Sequence, residues 1–517
     1  MKNVGYFVIL LLFLAAPVHA APVYSGCATP PSTFRHVWYF DPVHGKTQAA
    51  GGNGSQASPW NNLEALVQSQ TGYANPLLTT RGAKAGPIAP GDEILLMSGN
   101  YGNLWLNVYN TEIANSAFVT IAAAPGQTPV LTSLFIAGTS YWAFNGLKVQ
   151  SLLGAAIGGY WLVDIDDFSP TFPTSNIVLE NMTISSQDNV AGWSKAQWVA
   201  NARNALFIHS TPGTTATKCI SLTGSHIANV RTGAAIAAGQ VVFSNNQIDH
   251  FGDDGLDYAA SNIALTHNTI QDNLDLGDGN HEDAMQGQAG FLAAGATVNH
   301  FVNVLIDSNL IVRQTDPKLP FPTYLQGIDA FDADWTNVTV TNNVVVTSAC
   351  HGITFGSIHN SLIANNTVVE DGLFPTPGCV AAINVGGATH EGAVSNNTAV
   401  RNNLTSQLNV DTRDSGVVPD HNVAMCCGPG PEISWYVYGV IQYVTKPGVY
   451  GNGNIIDTGG AKGEFVNFNP STLAYTVLLK AGAQAIGAGT GVGAPTIDIL
   501  SVKRASPYTA GAYAYPE

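Results

Sequence analysis

Residues 251–286 read FGDDGLDYAASNIALTHNTIQDNLDLGDGNHEDAMQ. Two short apolar-alternating segments in this stretch carry acidic clusters at the same place. One is Asp253-Asp254-Gly255-Leu256-Asp257; the other is His281-Glu282-Asp283-Ala284-Met285-Gln286. As neighbouring rungs of a coiled sheet they would stack Asp254 and Asp283 one strand spacing apart, ~4.8 Å. Opposed like charges destabilise a strand pair, so stacked acids point to catalysis or substrate binding. The plainer alternatives are a calcium site or a solvated loop.

Outward from this stretch the pattern repeats. Short β-branched runs carry Asn at a fixed place, as in Phe243-Ser244-Asn245-Asn246-Gln247-Ile248, Leu265-Thr266-His267-Asn268-Thr269-Ile270 and Val340-Thr341-Asn342-Asn343-Val344-Val345. Asn246 to Asn268 is a step of 22 residues, and Asn343 to Asn366 one of 23. A period of this size signals a solenoid. Asn tolerates the left-handed bend between strands, and stacked Asn amides can bond along a ladder. The runs predict an all-β fold, a right-handed parallel β-helix. Longer steps, such as Asn268 to Asn309, predict loops inserted between rungs. The largest spans 312–326, and inserted loops on one face build a cleft.

The rungs align on Gly/Ala–apolar pairs. One polar column then reads Asp254, Asp283, Gln326, His351. A second reads Asp257, Gln286, Asp329, Thr354, Asn384, with Leu256, Met285, Ile328, Ile353 and Ile383 facing inward. Polar columns beside an apolar column are what a solenoid's binding face should present. A polar stack without a ligand is the alternative, and the acids and histidine weigh against it.

Composition bounds the rest. Only 10% of the 517 residues are charged and 54 are Gly, which suits short strands and tight turns. The net charge of −16 argues against nucleic acid, which needs a basic footprint. Lys2, the apolar run Tyr6 to Ala16 and the small-residue site Val18-His19-Ala20 read as a signal peptide. No later segment reaches membrane-spanning length. The expectation is an exported protein, extracellular or periplasmic, with no membrane and no nucleic acid as partner. All six cysteines follow the signal segment; Cys350 and Cys379 fall at equivalent places on successive rungs, as a disulfide or as two buried thiols. The expected organisation is a signal peptide (1–20), an N-terminal leader and cap (21–118), helix repeats with the cleft (119–405), and last coils with a C-terminal cap (406–517). A helix is expected from Asn62 to about Gln70, capped by Asn61 or Asn62.

The opening, Tyr39-Phe40-Asp41-Pro42 followed by Ser58-Pro59-Trp60 and Pro90-Gly91-Asp92-Glu93-Ile94-Leu95-Leu96, resembles the N-terminal cap of secreted parallel β-helix proteins of the pectate-lyase-like superfamily. The ending, Ala485-Ile486-Gly487-Ala488-Gly489 through Gly511-Ala512-Tyr513, resembles their C-terminal cap. The rungs DGLDY (254–258), EDAMQ (282–286) and CHGITFGSI (350–358) resemble the motifs of polygalacturonase-type glycoside hydrolases. That resemblance implies inverting hydrolysis by paired carboxyls, with Asp254 and Asp283 as catalytic aspartates, Glu282 as the further carboxylate and His351 as the active-site histidine. The family's Arg-x-Lys substrate motif has no counterpart, because the matching stretch reads Asn384-Val385-Gly386-Gly387.

Three functions follow. The first is a polysaccharide-degrading glycoside hydrolase, catalytic through Asp254, Asp283, Glu282, His281 and His351. Its substrate contacts are Asp257, Gln286, Gln326, Asp329, Arg313, Lys318 and Tyr324. It requires no cofactor and assigns no metal ligand. The second is a polysaccharide lyase acting on a uronate, which needs a base for the C5 proton and a cation for the carboxylate. His281, His351 or Tyr324 would be the base. Arg313 and Lys318, or Ca2+ held by Asp275, Asp278, Glu282 and Asp283, would supply the charge. The third is a non-catalytic polysaccharide-binding β-helix. Tyr258, Tyr324, Phe331, Trp335 and Phe355 are candidate sugar-stacking rings or caps over the coil, and Arg231 a candidate at the cleft edge.

Overall fold

Every turn of the chain lays one strand on each of three sheets in rotation. Gly239–Ser244, Gln247–Phe251 and Leu256–Tyr258 form one rung; Ile263–Thr266, Thr269–Asn273 and Asp283–Gly287 form the next. The computed structural model describes residues 24–515 except 75, 79–85, 112–116, 153–160, 212–213, 289–299, 332, 375–379, 387–394, 412–415, 426–432, 438–439, 445–447 and 458. Among the described residues the three sheets hold 14, 13 and 14 strands, with parallel pairing through the body of the coil. The fold is a right-handed parallel β-helix, as the repeat predicts. The predicted signal peptide lies outside the described residues.

The expected inward column is in register. Leu256 pairs Met285, Met285 pairs Ile328, Ile328 pairs Ile353 and Ile353 pairs Ile383, all fully buried. Small residues precede them because the bend brings the next rung's backbone close. A Cβ on Gly255 would lie 2.7 Å from the Ala284 carbonyl, and one on Gly352 would lie 2.8 Å from that of Ala382.

The expected Asn stack divides the work between two residues. The first of each pair takes the left-handed bend: Asn245, His267, Ser308, Asn342 and Asn365 all have φ between 55° and 58°. The second forms the buried ladder Asn246, Asn268, Asn309, Asn343, Asn366, Asn403, Asn422, Asn454. In each link Oδ1 of the next rung accepts both the backbone N–H and Nδ2. Asn396 and Asn397, in the similar run Ser395-Asn396-Asn397-Thr398, stand outside this ladder. Asn397 donates to Asn360 at 2.7 Å, in a second and exposed asparagine ladder that includes Asn262 and Asn303.

At the N-terminal end Val37–Phe40 pairs Glu93–Leu96. The expected helix is a single 3-10 turn, Leu63–Leu66, capped by Asn62. It stops there because Val67, Ser69, Thr71 and Gly72 are poor helix formers. At the other end Phe465–Asn469 and Ala474–Leu479 form a hairpin. The tail folds back along the coil, burying Phe465, Val477, Ala485 and Ala510 with Val344, Val346, Val369 and Leu404 of the third sheet. Cys27 is bonded to Cys219, a pairing the sequence did not suggest. Cys350 is also disulfide-bonded; its expected partner Cys379 lies outside the described residues.

Candidate functional site

The second sheet, running from Asn103–Asn107 through Asp283–Gly287 to His351–Phe355 and beyond, carries both polar columns. Asp257 pairs Gln286, Gln286 pairs Asp329, Asp329 pairs Thr354 and Thr354 pairs Asn384. Asp283 pairs Gln326. The Asp283 N–H donates to Asp254 Oδ1 at 2.9 Å, which ties the two acidic rungs together. His351 stands two residues ahead of Ile353, as Gln326 does of Ile328.

Burial separates these residues into two tiers. Asp254, Asp257, Glu282, Asp283 and Asp329 are all buried. Burial, with repulsion from Asp257, Asp283 and Asp253, raises the Asp254 carboxyl well above its usual range. Burial pushes Asp257 up to about 7, although the Gln288 amide at 3.1 Å and Asp254 hydrogen-bond to it. Burial likewise pushes Asp283 to about 7 against a hydrogen bond with Asp329, and Glu282 to about 7 with help from Asp275, Asp278 and Asp253. So many carboxyls in one dry patch cannot all ionise, and neighbours hold protons between them.

Above this tier stand rings. The His281 side chain is 58% exposed while Asp283 beneath it is fully buried, with His281 Nδ1 2.8 Å from Asp283 Oδ2. Gln326 lies 3.2 Å from the same nitrogen. An Nδ1–H held by the carboxylate leaves Nε2, with its lone pair, turned outward. This is the base-and-orienter arrangement of general base catalysis. Tyr324 is half-buried, and burial together with the charges of Glu282, Asp283 and Asp275 raises its hydroxyl pKa. His351 is packed edge-on against Phe331 at 4.8 Å and bonded to Thr354 at 3.1 Å. Burial and the neighbouring His281 lower its pKa. His281, Tyr324 and His351 are gathered around the acids, with Gln286 and Gln326 beside them.

Arg313 corrects an expectation. It is 1% exposed, ion-paired to buried Asp371 at 2.8 Å, bonded to the Thr323 carbonyl and stacked under Phe374. It anchors the inserted loop from inside, and no substrate carboxylate reaches it. Lys318 is exposed on that loop, and among the described residues no ion pair joins it to the acidic columns. The proposed calcium quartet is also not assembled. Asp275 is paired to Lys195 at 2.8 Å and Asp278 to Arg231 at 2.6 Å. Among the described residues no group of three or more His, Cys, Asp or Glu is arranged to hold a metal. Arg231 does stand at the edge of the acidic patch, 3.6 Å from Asp253. Of the candidate rings, Tyr258, Trp335 and Phe355 are fully buried core residues.

No family model and no curated protein matches the chain. Solved structures similar to it include pectate lyase Pel9A, at 15% identity over 95% of this chain and 98% of that one, with a TM-score of 0.39. A mannuronic acid specific polysaccharide family 6 lyase from human gut microbiota shares 12% identity over 78% and 92% of the two chains, TM-score 0.40. XylC, in complex with xylose, shares 9% over 93% and 98%, TM-score 0.41. Identities this low leave the chemistry to be argued from the residues themselves. No helix among the described residues is long and apolar enough to cross a membrane.

Proposed function

We propose that this protein cleaves an extracellular, uronate-containing polysaccharide by β-elimination, with His281 as base and Tyr324 as acid. The observation that carries this reading is the tiering of the site: an imidazole faces the groove and the carboxyl that hydrogen-bonds it lies fully buried beneath. In hydrolysis a carboxyl must reach the glycosidic oxygen, and here the acids lie under the rings. In elimination, Nε2 of His281 takes the C5 proton of the uronate. The released electron pair forms the C4–C5 double bond, the C4–O4 bond breaks, and the leaving oxygen takes the Tyr324 proton. The raised pKa of Tyr324 keeps that proton in place near neutrality. Asp257, Glu282 and Asp283, raised to about 7, are partly protonated there. Each retained proton removes a negative charge from beneath the groove that would otherwise repel the substrate carboxylate.

Hydrolysis remains the second reading, because the same raised carboxyls are suited to general acid work. One assay separates the two. Purified protein is incubated with neutral and acidic polysaccharides, and reducing ends are followed together with the ultraviolet absorbance of an unsaturated uronate. Both signals rising together is the expected result. Reducing ends without absorbance would overturn elimination in favour of hydrolysis.

A further inference from the structure

The outward column that contains Asp257 does not end at the acidic rungs. Toward the N-terminus the same register runs Asp257, Ala235, Phe207, Asp164, Phe135, Trp105. The face thus changes from acids to rings as the coil is followed upstream. Phe135 and Phe207 are half-buried, and Trp105 is 43% exposed, tilted against Phe135 at 5.7 Å. Beside Trp105 the one-turn helix Leu63–Leu66 and the strand Asn103–Asn107 enclose a cleft of about 170 Å³. Glu64, Gln68, Asn103 and Trp105 line it.

We propose that this cleft is a distal sugar subsite, in which Trp105 stacks on a pyranose ring and Gln68, Asn103 and Glu64 bond its hydroxyls. The inference rests on the reading of the acidic columns as a polysaccharide-cleaving site. An indole face with amide and carboxylate groups at its rim matches a sugar, which has an apolar face and a polar edge. The occupant is the polymer cleaved at His281, because one uninterrupted strand register joins the two places on one face. Six rung steps of ~4.8 Å separate Trp105 from the rung of His281 and Gln286, about 29 Å. One rung is about the length of one pyranose in an extended chain, so about six sugars span the gap. Long chains can touch both ends, and short ones cannot.

The test compares polymer with an oligosaccharide of about four sugars. For Trp105→Ala, the polymer-to-oligosaccharide ratio of kcat/KM falls roughly threefold to tenfold, through KM rather than kcat. Trp105→Phe, which keeps a ring, recovers part of the loss. Equal losses on both substrates, or an unchanged ratio, would overturn the subsite. Electrophoresis through gels containing each polysaccharide supplies a readout independent of turnover. Wild-type protein is retarded more than Trp105→Ala even if the cleavage chemistry has been misassigned. Equal mobility of the two proteins in every gel would overturn the proposal whatever the cleavage assay gives.

Discussion

Two buried polar columns run up this coil, one at the bend between the first and third sheets and one on the second sheet, and they solve the same problem in opposite ways. In the asparagine ladder each amide supplies both donors and an acceptor. Every rung pairs with the next at about 3 Å, and no charge is buried. In the acidic column the side chains accept and, once ionised, donate nothing. Asp254 takes one backbone N–H, Asp257 one amide and Asp283 one imidazole. Burial first, and repulsion after it, push Asp257, Glu282 and Asp283 up to about 7, so they retain protons that an amide column does not need. A column serving the fold alone would be built like the ladder, and this chain builds the ladder from Asn246 to Asn454. In the proposed reaction the acids mark the face on which the proton is transferred.

The sharpest way to break this comparison is His281→Ala. Turnover should fall by roughly 10²–10⁴-fold with the unfolding midpoint unchanged, since the ring is mostly exposed. Matched loss of activity and stability would show the acidic column to be structural too. The reciprocal change, Asn309→Ala, strips the amide from the middle of the ladder. It leaves the Asn268 amide, the Leu265 carbonyl and Asn343 Oδ1 short of partners. A loss of roughly 2–4 kcal/mol is expected from the denaturant midpoint, with activity per folded molecule retained.

A subtler effect is the pH dependence of stability. The folded chain holds protons on Asp257, Glu282 and Asp283 up to about 7, whereas unfolded carboxyls release them near about 4. Between these values the folded state binds more protons, so these groups make stability fall as pH rises through that window. Their full destabilisation is present above it. Asp283→Asn makes one rung resemble the ladder, so it should flatten this slope and raise the unfolding midpoint at pH 8. It should also lower turnover, because the carboxylate that orients His281 is gone. A midpoint at pH 8 below that of the wild type would contradict this account of the column.

Much of this was legible in the sequence because the solenoid repeats its chemistry. The Gly/Ala–apolar marks placed Asp257, Gln286, Asp329, Thr354 and Asn384 in one column, and the register agrees. Other features depend on long-range packing. Asp371 lies 58 residues beyond Arg313, and nothing in the loop sequence tells a buried anchor from a substrate contact. Asp283 and His281 are two residues apart, and only the bend decides which is buried and which faces the groove. The aromatic stretch from Phe207 to Trp105 is hard to read in the sequence because Leu162, Ser133 and Asn103 stand where the downstream rungs carry Gly or Ala. Asn360 and Asn397 lie 37 residues apart, so the exposed ladder hid behind the buried one.

The Cys27–Cys219 bond joins the leader to a strand in the middle of the coil, closing a span of 192 residues. Each rung of a solenoid touches only its neighbours, so an end can peel away one turn at a time. Here the first turns are clasped to a later one, and peeling from the N-terminal end has no free tip from which to begin. The rungs that carry Trp105, Phe135 and Asp164 lie inside that clasp. Under reducing conditions they become the frayed end of the molecule, and the groove shortens from that side while the acidic rungs beyond Cys219 stay wound.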